Sequence, residues 1–323
     1  MTSVTSLFDP VEADLVILVD NLKDLVRAQH PVLYAAAEHL FQAGGKRMRP
    51  AIVLLLSRAL LPAQDLTPRH RRLAEITEMI HTASLLHDDV VDDSGVRRGV
   101  PSVHSLFGNR IAIQAGDFLF AQASWYLANL DNLEVVKLLS EVIKDFAEGE
   151  IQQGINCFDT SLTLEAYLEK SYYKTASLMA NSAKAAGVLS GTSLQVNQDL
   201  YAYGRCVGLA FQIVDDILDF TGSTNALGKP ACSDLRSGNL TAPVLFAIAE
   251  KPYLKVLIDR HLEQEEDLEE AIALVNDSQG IPKSRALAEQ FSHQAVHHLD
   301  FLPASDSRQA LIDLTEYILK RLY

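Results

Sequence analysis

The sequence predicts an all-α fold, and three observations carry that reading. Apolar residues recur at three- and four-residue spacing along nearly the whole chain. No convincing run of period-two alternation appears. Proline and glycine punctuate the periodic segments instead of interrupting them. Taken in order, Leu15 to Val26 reads as the first helix, His30-Pro31 breaks it, and a short helix follows to Gln42. Gly44-Gly45 ends that helix, because glycine tolerates the left-handed cap. Pro50 opens the next, through Ala51 to Leu60, being pre-shaped for a first helical turn. Thr67-Pro68 reads as N-cap and first position of a helix reaching Asp88 or beyond. Residues 93–101, with Gly95, Gly99 and Pro101, read as a loop. Helices follow at 103–107, 110–130, 132–155 and Thr163 to Leu189. Gly191 to Asn197 separates the last of these from a helix at 198–220. Residues 221–240, rich in Gly, Ser, Asn and Pro, read as a loop over a site rather than a linker. Pro243 begins another helix. Residues 253–323 read as three or four more, with Gly280-Ile281-Pro282 as a turn among them. With no short-period repeat, low-complexity segment or shift in composition, a single domain over 1–323 is expected.

Composition narrows the function. The chain has 323 residues, 48% hydrophobic, and a net charge of −14. A surface so acidic argues against a general nucleic-acid binder, whose affinity rests on neutralising phosphates. An acidic protein still binds polyphosphates if it recruits divalent cations, which reverse the local field. Cys157, Cys206 and Cys232 form no Cys-x-x-Cys and read as thiols of a reducing compartment. Residues 1–9 contain no basic residue and no long apolar run. No stretch approaches the ~20 apolar residues that span a bilayer. The expectation is a cytoplasmic protein without stable membrane insertion.

Two copies of one five-residue pattern dominate the chemistry: Asp88-Asp89-Val90-Val91-Asp92 and Asp215-Asp216-Ile217-Leu218-Asp219. On a helix, residues i and i+4 share a face. Asp88 with Asp92, and Asp215 with Asp219, then form vertical carboxylate pairs, with Asp89 and Asp216 alongside. Such like charges need a cation between them. Hard oxygen ligands in twos and threes, without Cys or paired His, suit Mg²⁺, which leaves positions for water and phosphate. A single such motif reads as a solvated acidic helix end. Two copies in apolar flanks read as a metal site.

Cationic residues gather near these motifs in sequence. Gly44-Gly45-Lys46-Arg47-Met48-Arg49 is the densest basic turn, and Arg97-Arg98 follows the first motif closely. Arg grips phosphate through a planar fork and Lys as a point charge. Both clusters also have ordinary structural readings, as a helix C-terminus and a solvated loop. Lys174-Thr175 lies among small helix residues. Gln212 precedes Asp215 by about one turn, His81 precedes Asp88 by two turns, and Lys229 sits in the Gly-rich loop after the second motif.

Together, the paired Asp-Asp-x-x-Asp motifs, Gly-Gly-Lys-x-x-Arg upstream and Arg-Arg-Gly after the first motif resemble the trans-polyprenyl diphosphate synthases. The form Gly238-Asn239-Leu240-Thr241-Ala242-Pro243 resembles the solanesyl-type, long-chain branch that supplies plastoquinone side chains. One departure is Asn239, where many such proteins carry Lys. The resemblance implies an orthogonal helical bundle around a deep central cavity (the isoprenoid synthase fold), with the two motifs facing across it, and a homodimer. It implies isopentenyl diphosphate and an allylic diphosphate primer (farnesyl or geranylgeranyl) as substrates, and three Mg²⁺ ions. Asp88, Asp89 and Asp92 would hold two of these ions, and Asp215, Asp216 and Asp219 a third. Arg97, Lys174, Gln212 and Lys229 would contact the allylic diphosphate, and Thr175 would sit beside the developing carbocation. Lys46, Arg49, His81 and Arg98 would hold isopentenyl diphosphate.

Under that resemblance, product length depends on what blocks the growing tail. Ala83 and Ser84, just before the first motif, are small, so the tail is expected to pass deeper, toward Ile80, Met79 and Ile76. From Asp88 to Ile76 the helix rises roughly 18 Å. Phe118, Trp125, Phe146 and Ile151 are candidate lower plugs. The expected product has nine isoprene units; a geranylgeranyl-type product and a non-catalytic partner subunit are the alternatives. A class I terpene cyclase would lack the second motif and the isopentenyl site. Calcium sites of EF-hand type would need an Asp/Asn-Gly loop in register, which the chain does not have.

Overall fold

The structure is a computed structural model that describes residues 6–42, 44–62, 64–222, 232–264 and 266–322. After a 3₁₀ turn at Ser6–Val11, the chain runs through α1 (Glu12–Leu25), α2 (Pro31–Gln42), α3 (Met48–Leu60) and α4 (Pro68–Val91). A two-strand hairpin, β1 (Val96–Arg97) and β2 (Val100–Pro101), follows. Next come α5 (Val103–Phe107), α6 (Asn109–Ala128), α7 (Leu133–Ile155), α8 (Leu164–Ser171), a π turn at Tyr172–Ala176, α9 (Ser177–Leu189) and α10 (Leu194–Thr221). The remainder is α11 (Ser233–Arg236), α12 (Ala242–Glu250), α13 (Pro252–Asp259), α14 (Asp267–Asn276), α15 (Gly280–His297) and α16 (Asp306–Lys320). Among the described residues no helix is long and apolar enough to cross a membrane.

The chain folds into two compact units that interleave in sequence. The first comprises 1–143, 181–201 and 299–313. Its central helix is α4, started as its sequence dictates: the Thr67 hydroxyl accepts the N–H of His70 and Pro68 occupies the first turn. From Leu73 to Ile80 every residue of α4 is buried, and α3 is buried from Pro50 to Ser57. Helices buried on all sides belong to an interior. α6 closes on α4 through small residues. A Cβ on Gly116 would lie 2.3 Å from His87 Nε2, so any larger residue would have to push that ring aside.

The second unit comprises 144–180, 202–298 and 314–323. Its core includes Leu235, Val244, Leu254, Leu257, Ile258 and Val275. α10 lies against α9 at backbone distance: a Cβ on Gly204 would meet the Met179 carbonyl oxygen at 2.4 Å.

The structure departs from the sequence reading at several boundaries. Gly280-Ile281-Pro282 is the first turn of α15, not a turn between helices. Proline is tolerated in a first turn because its missing N–H has no intrahelical partner to lose. Gly280 is required there by packing, since a Cβ would lie 2.3 Å from the Pro243 carbonyl oxygen. α3 starts at Met48, two residues before Pro50, and α10 at Leu194, inside the segment read as a separator. Residues 93–101 are not all loop. Arg98 and Gly99, with φ of 53° and 78°, turn a hairpin whose Arg97 pairs with Val100. Positive φ at both central positions is what a type I′ turn requires.

Candidate active site

The first aspartate motif ends α4. Asp92 is its C-cap, its N–H bonded to the Asp88 carbonyl at 2.8 Å. Asp89 is buried, and Arg97 in the hairpin reaches it with Nε at 2.7 Å and Nη2 at 2.5 Å. The other carboxylate oxygen, Oδ2, is buried with no hydrogen-bond partner among the described residues.

The next residue of the hairpin points to a different element. Arg98 Nη1 donates to the Gly44 carbonyl at 2.7 Å. Its guanidinium packs on Gly45, where a Cβ would lie 2.9 Å from Cζ and where φ is +130°. Two adjacent arginines thus tie the motif and the Gly-Gly loop to one hairpin. Arg47, itself in left-handed conformation, has its side chain buried against Glu78 and donates to the Phe41 carbonyl at 2.7 Å. Arg49 Nη1 lies 3.1 Å from His81 Nε2, a bond that only the neutral imidazole accepts. Burial holds His81 well below the usual histidine range, and the surrounding Arg49, Arg98, Arg97 and Arg47 push the same way. Lys46 is exposed in the same loop. This unit therefore brings Arg49, His81, Arg97 and Arg98 together.

The expected chain-length positions separate by burial. Ala83 and Ile80 are completely buried. Ser84 is half-buried, its hydroxyl donating to the His81 carbonyl at 2.9 Å. Of the lower plugs, Trp125 and Ile151 are exposed on this single chain (51% and 63%).

The second motif has different neighbours. Asp216 is buried and accepts from the Tyr167 hydroxyl and from Gln212 Nε2, the latter at 2.8 Å. Gln212 Oε1 in turn accepts from the Thr175 hydroxyl at 2.6 Å. Burial, together with the nearby Asp234, pushes the Asp216 carboxyl up to about 7, although Tyr167, Gln212 and Lys170 oppose the rise. Asp219 is held by the Ser233 hydroxyl at 3.1 Å and the Asp234 N–H at 3.2 Å. Asp215 is paired with Arg321 at 2.7 Å. Lys174 donates to Glu150 Oε2 at 2.7 Å and Gln153 Oε1 at 3.0 Å. Thr175 reaches Gln212 from the π turn at Tyr172–Ala176, a local widening of the helix often found at functional sites. Lys229 lies outside the described residues.

Several participants escaped the sequence reading. Tyr167, Lys170 and Arg321 carry no motif, and each is near its partner only through folding. Lys170 is buried and donates to Asn239 Oδ1. The position read as lacking a cation thus has one supplied from α8. Ser233 and Asp234 lie in α11, too short a helix to be seen by periodicity.

Among the described residues no group of three or more His, Cys, Asp and Glu side chains converges to hold a metal ion unaided. Mg²⁺ is commonly held by one or two carboxylates together with water and substrate phosphate. The unpartnered Asp89 oxygen and the buried Asp216 carboxyl are both groups that an adjacent cation would satisfy. The donor sets of both motifs fit a hard divalent cation.

One unit thus carries an arginine-rich cluster that ends in carboxylates, and the other carries buried carboxylates among hydrogen-bond donors. Arginines beside carboxylates, and buried carboxylates among donors, are groups that phosphates and hard divalent cations can bind. The chain belongs to the polyprenyl synthetase family, whose model matches residues 30–275. It is 66% identical over its full length, and that of its relative, to a prenyl transferase of Synechocystis sp.. It is 54% identical to a chloroplastic solanesyl-diphosphate synthase 2 of Oryza sativa, over 99% of this chain and 80% of that one. A crystal structure of a polyprenyl synthase from Caulobacter crescentus, complexed with calcium and isoprenyl diphosphate, superposes with a TM-score of 0.91 at 35% identity. It covers 99% of this chain and 98% of that one. The all-α fold is that of the isoprenoid synthases.

Proposed function

We propose that this chain is an all-trans long-chain polyprenyl diphosphate synthase making a product of nine isoprene units, solanesyl diphosphate, for a quinone side chain such as that of plastoquinone. The observation that carries the reading is the gathering of four arginines around a neutral His81, two helix turns from Asp88. Arginines gathered beside a carboxylate motif suit a diphosphate and the metal bound to it. Relatives named solanesyl-diphosphate synthases support the choice of product.

In this reading Lys46, Arg49, His81 and Arg98 orient isopentenyl diphosphate. Arg97, Lys174 and Lys229 contact the diphosphate of the farnesyl or geranylgeranyl primer. Asp88, Asp89, Asp92, Asp215, Asp216 and Asp219 would hold three Mg²⁺ ions, which neutralise charge on the leaving diphosphate. The allylic C1–O bond breaks with its electron pair leaving on the diphosphate. The isopentenyl alkene attacks C1, forming the new carbon–carbon bond. The neighbouring C–H then yields its proton to the departed diphosphate, and its electrons become the new double bond. Thr175, fixed by its bond to Gln212, presents oxygen to the developing positive charge. We read the enzyme as a cytoplasmic homodimer.

The test is to incubate the purified chain with Mg²⁺, labelled isopentenyl diphosphate and each primer, then size the products. Nine-unit chains are expected, and no elongation with any primer overturns the proposal. Because Ser84 is the accessible member of the small pair, Ser84→Phe is expected to shorten the product by several units. An unchanged distribution on reverse-phase thin-layer chromatography rules out Ser84 as the ruler. Ala83→Phe is expected to damage packing first, by about 1–3 kcal/mol.

A further inference from the structure

The end of α16 carries a cation that no motif predicts. Arg321 sits one residue beyond the helix, and its Nη2 lies 2.7 Å from Asp215 Oδ1. Its guanidinium stacks over the Phe211 ring at 4.9 Å, one helix turn before Asp215. Arg321 is 22% exposed and the Asp215 side chain 37%, so the pair is partly shielded from water. The other terminal nitrogen, Nη1, is buried with no hydrogen-bond partner among the described residues. The ion pair and the ring stack thus hold the guanidinium through one side, leaving Nη1 without a partner to lose.

We propose that Arg321 is the resident counter-ion of the second aspartate motif, neutralising Asp215 until a divalent cation takes that carboxylate and displaces the end of the C-terminal helix. The inference rests on the reading of Asp215 as a metal ligand. Its physical basis is simple. A metal at Oδ1 competes directly with the guanidinium and one at Oδ2 is repelled by it, so the ion pair opposes metal binding at Asp215 either way. Arg321 therefore sets the divalent-ion concentration at which the second motif loads, and couples loading to the order of the chain end.

The test uses Mn²⁺ as a paramagnetic stand-in for Mg²⁺, with inorganic pyrophosphate supplying phosphate ligands to the full chain. Free Mn²⁺ is followed by electron paramagnetic resonance. Arg321→Gln is expected to bind the weakest Mn²⁺ about three- to tenfold more tightly than wild type, the fold-change expected of a partly shielded ion pair. Arg321→Lys, which keeps the charge, is expected to stay within about twofold of wild type. Asp215→Asn is expected to lose that Mn²⁺ whatever stands at 321. If Asp215→Asn still binds it, the metal reading of the second motif fails. If Asp215→Asn loses it while Arg321→Gln binds no more tightly than wild type, the counter-ion inference fails alone. Hydrogen exchange gives a second readout. Amides at 316–322 are expected to exchange faster once Mn²⁺ and pyrophosphate are added to wild type, and to be fast from the start in Arg321→Gln. No change in either protein overturns the coupling.

Discussion

The two aspartate motifs share the same five-residue pattern but not the same physical environment. Around the first, Arg97 pairs with Asp89 and three further arginines crowd His81. Around the second, Asp216 is buried among neutral donors and another carboxylate, with Lys170 nearby. Each region pushes one titratable group toward neutrality, for opposite reasons. His81 is kept uncharged by burial and a surplus of positive charge. Asp216 is driven toward its protonated form by burial and a shortage of it. The two motifs share a pattern but sit in different electrostatic surroundings, and the difference comes from residues outside them.

The largest expected effect comes from removing either motif's leading carboxylate. Asp88→Ala and Asp215→Ala are each expected to lower turnover by about 100-fold or more, as for loss of a transition-state electrostatic group. The helical circular dichroism should remain. Wild-type rates in one variant would show that the motifs are not equal partners in holding the metal. A smaller loss is expected at the cationic side alone. Arg98→Gln removes the charged donor to the Gly44 carbonyl and is expected to raise KM for isopentenyl diphosphate by about tenfold, the value of one charge-assisted hydrogen bond. The allylic KM should stay nearly constant; an equal rise in both would merge the two sides of the comparison.

The smallest effect is on stability. The folded His81 titrates well below 6.5, whereas the unfolded chain titrates near that value. As pH drops through about 6.5, the unfolded chain takes up a proton that the folded one refuses. Stability therefore falls with acidification, by at most about 1.4 kcal/mol per pH unit. His81→Gln is expected to remove that part of the slope in urea unfolding between about pH 7.5 and 5.5. Parallel slopes for the two proteins would mean that His81 is not held neutral.

Much of this was legible without coordinates. Helical periodicity, Thr67-Pro68 and Gly44-Gly45 report local preferences, which survive in the fold because packing agrees with them. The boundaries that moved are those where a tertiary contact overrode a local signal. Gly280 looks like a turn residue but is glycine because the Pro243 carbonyl lies against it. The Arg98-Gly99 hairpin is too short for any pattern to reveal.

By itself, the sequence determined the helical class, the two acidic motifs and the cationic clusters that would handle a diphosphate. Those are properties of residue type and spacing along one element. Only the tertiary structure decided which cation serves which partner: Arg97 on Asp89, Lys170 on Asn239, and Arg321 on Asp215. It also decided that Ser84 rather than Ala83 is accessible, and that His81 is neutral. The physical reason is that charge pairing, burial and pKa depend on distance in space. Residues as far apart in the chain as Asp215 and Arg321 acquire that distance only when the chain folds.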